Sequence, residues 1–363
     1  MKRIATAWLL VLCLCLSGCG SFLTGEFIWE QSHYIPPVPD SGQDIVASDF
    51  AGLVRAISDG IEQGMELLTI SVAQYDRDVL QADVEQATET VCRTNPVAAY
   101  AVSDVNWQIG TTAGETVLIL QIQYLHDQSE IKKIQTVSDN TEAWDAIATA
   151  IDNCDSGIVL RIDNYEAQDF QLAIEAYSLD YPQLVMEAPQ VSVNVFPETG
   201  ISRVVELRFL YVNGRDALRE MQNQVLTLFD ASVNLVSMTE RPREKYAQVY
   251  SLLVERFQKY TIETSITPAY SLLLHGVGDS RAFAMLYAAM CRDAGLHCQV
   301  VAGTKSGKLW YWNIVQVDGA YYHVDLLRSK GEGNLRLLTD NIINEGYVWD
   351  FSAYPACGGK AVN

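Results

Sequence analysis

Trp310-Tyr311-Trp312-Asn313-Ile314-Val315-Gln316-Val317-Asp318-Gly319, followed at once by Tyr321-Tyr322-His323-Val324-Asp325, reads as two β-strands joined by a tight turn. Asp-Gly between two apolar runs is a hairpin signal, because both central residues of the favoured two-residue turn need positive φ. A further strand, Cys298 to Gly303, lies just upstream, and before it Arg281 to Ala294 is apolar nearly all round and stops at Gly295. A helix without a polar face is a buried helix. Thr239-Glu240-Arg241-Pro242 opens an earlier helix through Tyr246, Val249, Leu252, Leu253 and Phe257, with Pro242 suited to its first turn. A buried helix against a small antiparallel sheet is an α+β arrangement.

The order of these parts resembles the transglutaminase-like, papain-related superfamily. In that family a nucleophilic Cys starts the buried helix, with Gly fifteen residues on. A strand then carries His-x-Trp-Asn, a turn Asp-Gly, and the next strand ends His-Val-Asp. The helix N-terminus lowers the thiol pKa, the His moves the proton, and the Asp fixes the His tautomer. Leu337-Leu338-Thr339-Asp340, Tyr347-Val348-Trp349-Asp350 and Tyr354-Pro355-Ala356-Cys357 are similar to the closing segments of exported family members. The resemblance is specific around residues 270–325 and loose elsewhere.

Carried over residue by residue, the resemblance implies a degenerate triad. Counting back from Gly295 puts Ser280 at the nucleophile position, and counting back from Trp312 puts Trp310 at the base position; only Asp325 matches. An indole has one donor and no acceptor, so Trp310 cannot take a proton, and a Ser hydroxyl without a base is a weak nucleophile. Loss of nucleophile or base alone costs on the order of 10⁶ in turnover in a comparable hydrolase. The expectation is a catalytically inactive domain that serves binding or scaffolding, with Trp310, Tyr311 and Trp312 as a candidate aromatic platform for a protein, peptide or glycan in the former cleft. The alternative is an active Ser-based amide hydrolase or acyltransferase using Ser280 and Asp325, with His323 as base. His323 is otherwise structural, Cys291 packed core, and Cys298 a candidate partner for Cys357. Other motifs fail: Gly278-Asp279-Ser280 is similar to GDS-type esterases but lacks their Asp-x-x-His, and Gly303 to Lys308 lacks phosphate-loop spacing.

Upstream, a shift of 90 residues lays Ile57 on Ile147, Ile61 on Ile151, Leu68 on Ile158, Ile70 on Leu160, Val72 on Ile162 and Tyr75 on Tyr165. Each copy reads as an α-β-α-β-β unit. Neither carries an acid pair, a nucleophile with a base or a phosphate loop, so both are expected to be spacer or docking modules. The expected fold class is α+β: two repeated α-β-α-β-β units at 46–136 and 137–216, then a transglutaminase-like (cysteine-protease-like) α+β domain at 217–357 and a tail at 358–363.

At the other end, Met1-Lys2-Arg3, an apolar run from Ile4 to Leu16 and Leu16-Ser17-Gly18-Cys19 form an export signal whose cut site resembles the bacterial lipobox. Residues 1–18 are expected to leave, and Cys19 to bear acyl chains that anchor the protein on the extracytoplasmic side of a membrane. Residues 19–45, with Pro36-Pro37-Val38-Pro39, read as an extended tether. The precursor carries a net charge of −20, and no basic cluster lies outside the leader, which argues against nucleic acid. Hydrophobic residues make up 49% of the chain and charged residues 19%, enough apolar content for a real core. No Cys/His spacing points to a metal, and no cofactor motif occurs.

Overall fold

The computed structural model describes residues 45–238, 241–261, 263 and 265–358. The leader, Cys19 and all of the tether but its last residue lie outside the described residues, as does most of the tail.

The first unit runs α1 (Phe50–Glu62), β1 (Leu67–Ser71), α2 (Arg77–Thr94), α3 (Pro96–Ala101), β2 (Val102–Thr112) and β3 (Glu115–Tyr124). Asp49 caps α1 by accepting from the Gly52 N–H at 2.7 Å, and Leu53, Ile57 and Ile61 form its buried face. At Asn95-Pro96 the chain breaks and restarts as α3: Pro96 has no N–H to continue a helix but suits the first position of a new one, which Asn95 caps. The sheet order is β1-β3-β2, all antiparallel, with Leu68 and Ile70 inward.

After α4 (Gln128–Ile131) the second unit runs β4 (Gln135–Asp139), α5 (Asn140–Asp152), β5 (Gly157–Asn164), α6 (Phe170–Asp180), β6 (Gln190–Phe196) and β7 (Arg203–Leu210). Its sheet order is β4-β5-β7-β6, with β4 parallel to β5 and the other pairs antiparallel. A boundary after residue 136 falls inside β4, whose ladder with β5 from Gln135↔Leu160 onward binds the whole strand to the second unit. A parallel bridge, Val46↔Ser71, stands on the corresponding edge of the first unit. In both units the last strand in chain order lies inside the sheet, between β1 and β2 in the first and between β5 and β6 in the second.

The third region comprises α7 (Arg215–Ser237), α8 (Pro242–Arg256), β8 (Lys259–Tyr260), α9 (Pro268–His275), β9 (Val277–Gly278), α10 (Ser280–Asp293), β10 (Cys298–Lys305), β11 (Lys308–Val317), β12 (Ala320–Val324), α11 (Leu326–Glu332), α12 (Asp340–Ile343) and β13 (Tyr347–Val348). The sheet order is β12-β11-β10-β13, antiparallel throughout. Every residue of α10 from Ala282 to Cys291 is buried, and the helix ends at Gly295 with φ +77°, the left-handed cap that glycine adopts without strain. One core joins α7 to α10 with Val315 and Val317; a second, smaller one holds Val301, Trp312, Ile314, Trp349 and Cys357.

These two cores correct the expected Cys298–Cys357 pairing, since both thiols are free. Cys298 packs into the core around α10, whereas Val301, an odd number of positions along the same strand, faces the other core with Cys357.

Candidate functional site

Ser280 is the first residue of α10, which Asp279 caps by accepting from the Ala282 N–H at 2.9 Å. A helix N-terminus favours negative charge, which is why such a position suits a thiolate. The Ser280 hydroxyl is only 6% exposed and accepts from the Tyr311 backbone N–H at 3.2 Å. Its surroundings are therefore set by strand backbone, and among the described residues no imidazole or other general base is a hydrogen-bond partner of its hydroxyl.

Asp325 follows β12 and caps α11, its Oδ1 accepting from the Arg328 N–H at 3.0 Å. Its Oδ2 accepts three more hydrogen bonds: from Trp310 Nε1 at 2.9 Å, from the Tyr347 hydroxyl at 2.6 Å and from Lys305 Nζ at 3.1 Å. Four donors thus share the carboxylate, three of them on Oδ2. Trp310 spends its single N–H on the bond that would orient a catalytic imidazole, and it offers no atom that can accept a proton in return.

Lys305 supplies the positive charge that an indole lacks. Its ammonium lies 4.5 Å from the centroid of the Trp310 ring and 4.9 Å from that of Tyr347, within cation–π range. Tyr260 flanks Trp310, with ring centroids 6.2 Å apart. Burial first, and then the Asp325 charge, push the Tyr347 pKa upward, so its hydroxyl remains a donor. Lys305 and Tyr347 escaped the sequence reading. They pair in register across β10 and β13, a long-range ladder with no signature in local spacing.

The crevice lined by Ser280, Phe283, Tyr311, Asn313 and Asp325 is too narrow to admit a water molecule. Asn313 is fully buried beneath it and donates to the Ala284 carbonyl at 2.9 Å, tying β11 to α10.

Trp310, Tyr311 and Trp312 do not form one exposed platform, which corrects that expectation. Alternation along β11 turns Tyr311 to the face opposite its neighbours. Trp312 is 1% exposed and packs edge-on against Tyr347 and Trp349, with centroids at 5.3 and 5.8 Å. Tyr311 lies 5.8 Å from the Arg281 guanidinium instead.

His323 is fully buried, and both of its ring nitrogens are engaged: Nδ1 with Trp312 Nε1 at 3.0 Å and Nε2 with Asp340 Oδ1 at 2.8 Å. Indole only donates, so Nδ1 accepts and the proton sits on Nε2, donated to Asp340. Burial lowers the His323 pKa below its ordinary 6.5, with Asp340 opposing the shift. No nitrogen is left to serve Ser280. The same tautomer bears on the one cluster with metal-ligand chemistry among the described residues, His323, Asp340 and Cys357, whose ligand atoms lie within 4.8 Å of one another. Ligation through Nε2 needs the proton on Nδ1, where Trp312 forbids it, and the Cys357 thiol is pushed up to about 12 by burial and then by Asp340. The trio is a hydrogen-bonded knot that fastens the closing segment to β12. Cys291 is likewise a packed thiol, its pKa driven well upward by burial.

The family model of the transglutaminase-like superfamily matches residues 231–326. No curated protein matches the chain. Among solved structures, it is similar to a proposed protease from Parabacteroides distasonis, at 10% identity over 61% of this chain and 35% of that one, with a TM-score of 0.22. It is also similar to a TGase, at 10% identity over 47% of this chain and 50% of that one, with a TM-score of 0.26. The chain thus spans about a third and about half the length of these two structures.

Proposed function

The chain carries a transglutaminase-like domain at residues 231–326, and from that premise we propose that it is a non-catalytic binding or scaffold protein, held on the extracytoplasmic face of a membrane by acyl chains on Cys19. The observation that carries the reading is the Trp310 Nε1–Asp325 Oδ2 bond of 2.9 Å. Acyl transfer through a Cys–His–Asp site needs an imidazole that accepts a proton at one nitrogen while its other N–H is held by the Asp. Here the Asp holds the N–H of a ring with no second nitrogen. The closed crevice supports the same reading, since a scissile amide has nowhere to lie beside Ser280. A protein, peptide or glycan partner would then meet the domain outside the old cleft. The membrane anchor rests on Leu16-Ser17-Gly18-Cys19 and the apolar run before it.

A fluorophosphonate, which phosphonylates activated serines with loss of fluoride, provides the test. Peptide mass spectrometry of treated protein should find Ser280 unmodified. Labelling of Ser280 in folded but not heat-denatured protein would restore the Ser-based hydrolase.

A further inference from the structure

A cavity of about 460 Å³ lies beside α10, on residues that the triad positions do not use. Its wall is mainly apolar, with Val185, Met186, Leu210, Val212 and Met285, and is interrupted by Ser178, Gln190, Tyr211 and Ser265. At its edge Leu210, Val212 and Ile266 are 67%, 79% and 54% exposed, a cluster of apolar surface that folding leaves uncovered. The volume falls within the roughly 300–1,000 Å³ of small-molecule sites.

Among the described residues, one cation lines this mainly apolar space. Arg281, one residue beyond Ser280, keeps its Nε buried without a hydrogen-bond partner, and no carboxylate among the described residues forms an ion pair with it. Its contact with Tyr311 at 5.8 Å is at the outer limit of cation–π range. Arg281 is partly buried, so its guanidinium can pair with an anionic group that enters the cavity. The other charged group in the wall, Glu187, is already satisfied: it accepts from the backbone N–H of Val212, from the Asn213 N–H at 3.2 Å and from Asn213 Nδ2 at 2.7 Å.

We propose that this cavity binds a medium-chain aliphatic carboxylate, its head held by Arg281 and its chain laid along the methyl and thioether groups of the wall. Guanidinium and carboxylate match as a bidentate, charge-assisted pair.

Isothermal titration of hexanoate, octanoate and decanoate into the purified protein tests the assignment, with decanol as the uncharged control. Each added methylene should tighten Kd up to about fourfold. Arg281→Met should weaken decanoate at least tenfold and leave decanol unchanged. Val212→Asp, at a position 79% exposed, should also weaken decanoate by placing a like charge at the mouth. Absence of saturable decanoate binding would overturn the proposal, and so would decanoate affinity unmoved by either substitution. Neither result bears on whether Ser280 is active, so this proposal and the non-catalytic reading can fail separately.

Discussion

Asp325→Asn preserves the shape of the side chain and removes the charge that four donors share. The carboxylate is 2% exposed, and its Oδ2 alone takes bonds from Trp310, Tyr347 and Lys305. Breaking a buried ion pair by removing one partner costs about 3–5 kcal/mol. Two features reduce that figure here. The Lys305 side chain keeps 29% of its exposure, so its ammonium can turn to water, and the pair itself contributes under about 1 kcal/mol. An amide oxygen also keeps one or two of the neutral bonds at roughly half strength. Against this, the amide NH₂ must face at least one of the former donors. The net expectation is a loss of about 2–4 kcal/mol, of which removing one buried acceptor accounts for most. Urea unfolding followed by tryptophan fluorescence reads it directly, because Trp310 and Trp312 border the site. Lys305→Met should cost less than about 1 kcal/mol by the same assay. If Asp325→Asn unfolds within about 0.5 kcal/mol of the native protein, the carboxylate is not the anchor described here and is free for another role.

Three further expectations concern other residues. The lowered pKa of His323 means that below its ordinary 6.5 the unfolded chain binds a proton that the folded chain does not; the stability His323 contributes is thus present above about pH 6.5 and declines as pH falls from there towards the folded value. Proton NMR of the ring should place its titration midpoint below 6.5, and a midpoint above that would contradict the buried neutral tautomer. Gly303→Ala would put a Cβ 2.4 Å from the Val348 carbonyl oxygen and 2.7 Å from the Trp312 ring, so it should cost at least about 2 kcal/mol in thermal or urea unfolding; a neutral result would mean that β10, β13 and Trp312 are not packed as described. Mass spectrometry of the membrane fraction should show an acylated N-terminal Cys19, and quantitative release of unmodified protein into the medium would remove the anchor from the proposal.

Much of the C-terminal sheet was legible because its signals are local. The apolar run of α10, Gly295 and the Asp318-Gly319 turn each depend on residues a few positions apart, and Asp318 and Gly319 both take positive φ in the hairpin. The strand alternation in the upstream units was readable for the same reason. The boundary near residue 136 was not, because the short strand from Gln135 carries little pattern of its own and is defined by its parallel partner β5. At the site, the residue types at 280, 310 and 325 could be read, and so could the loss of a proton acceptor. The packing could not. Lys305 and Tyr347 reach Asp325 through pairings across the sheet, and the burial of Trp312 depends on Tyr347 and Trp349 arriving from the closing segment. Alternation along β11 could have warned against the three-residue platform, since consecutive strand residues face opposite ways.

The central claim is that the domain keeps a transglutaminase-like scaffold without its chemistry. Its most direct measurement is the rate of amide hydrolysis and of acyl transfer from glutamine-containing peptides, taken on the native protein beside Ser280→Ala. With no group among the described residues placed to receive a proton from Ser280, both proteins should give the same uncatalysed background. Turnover by the native protein that disappears in a folded Ser280→Ala variant would contradict the account.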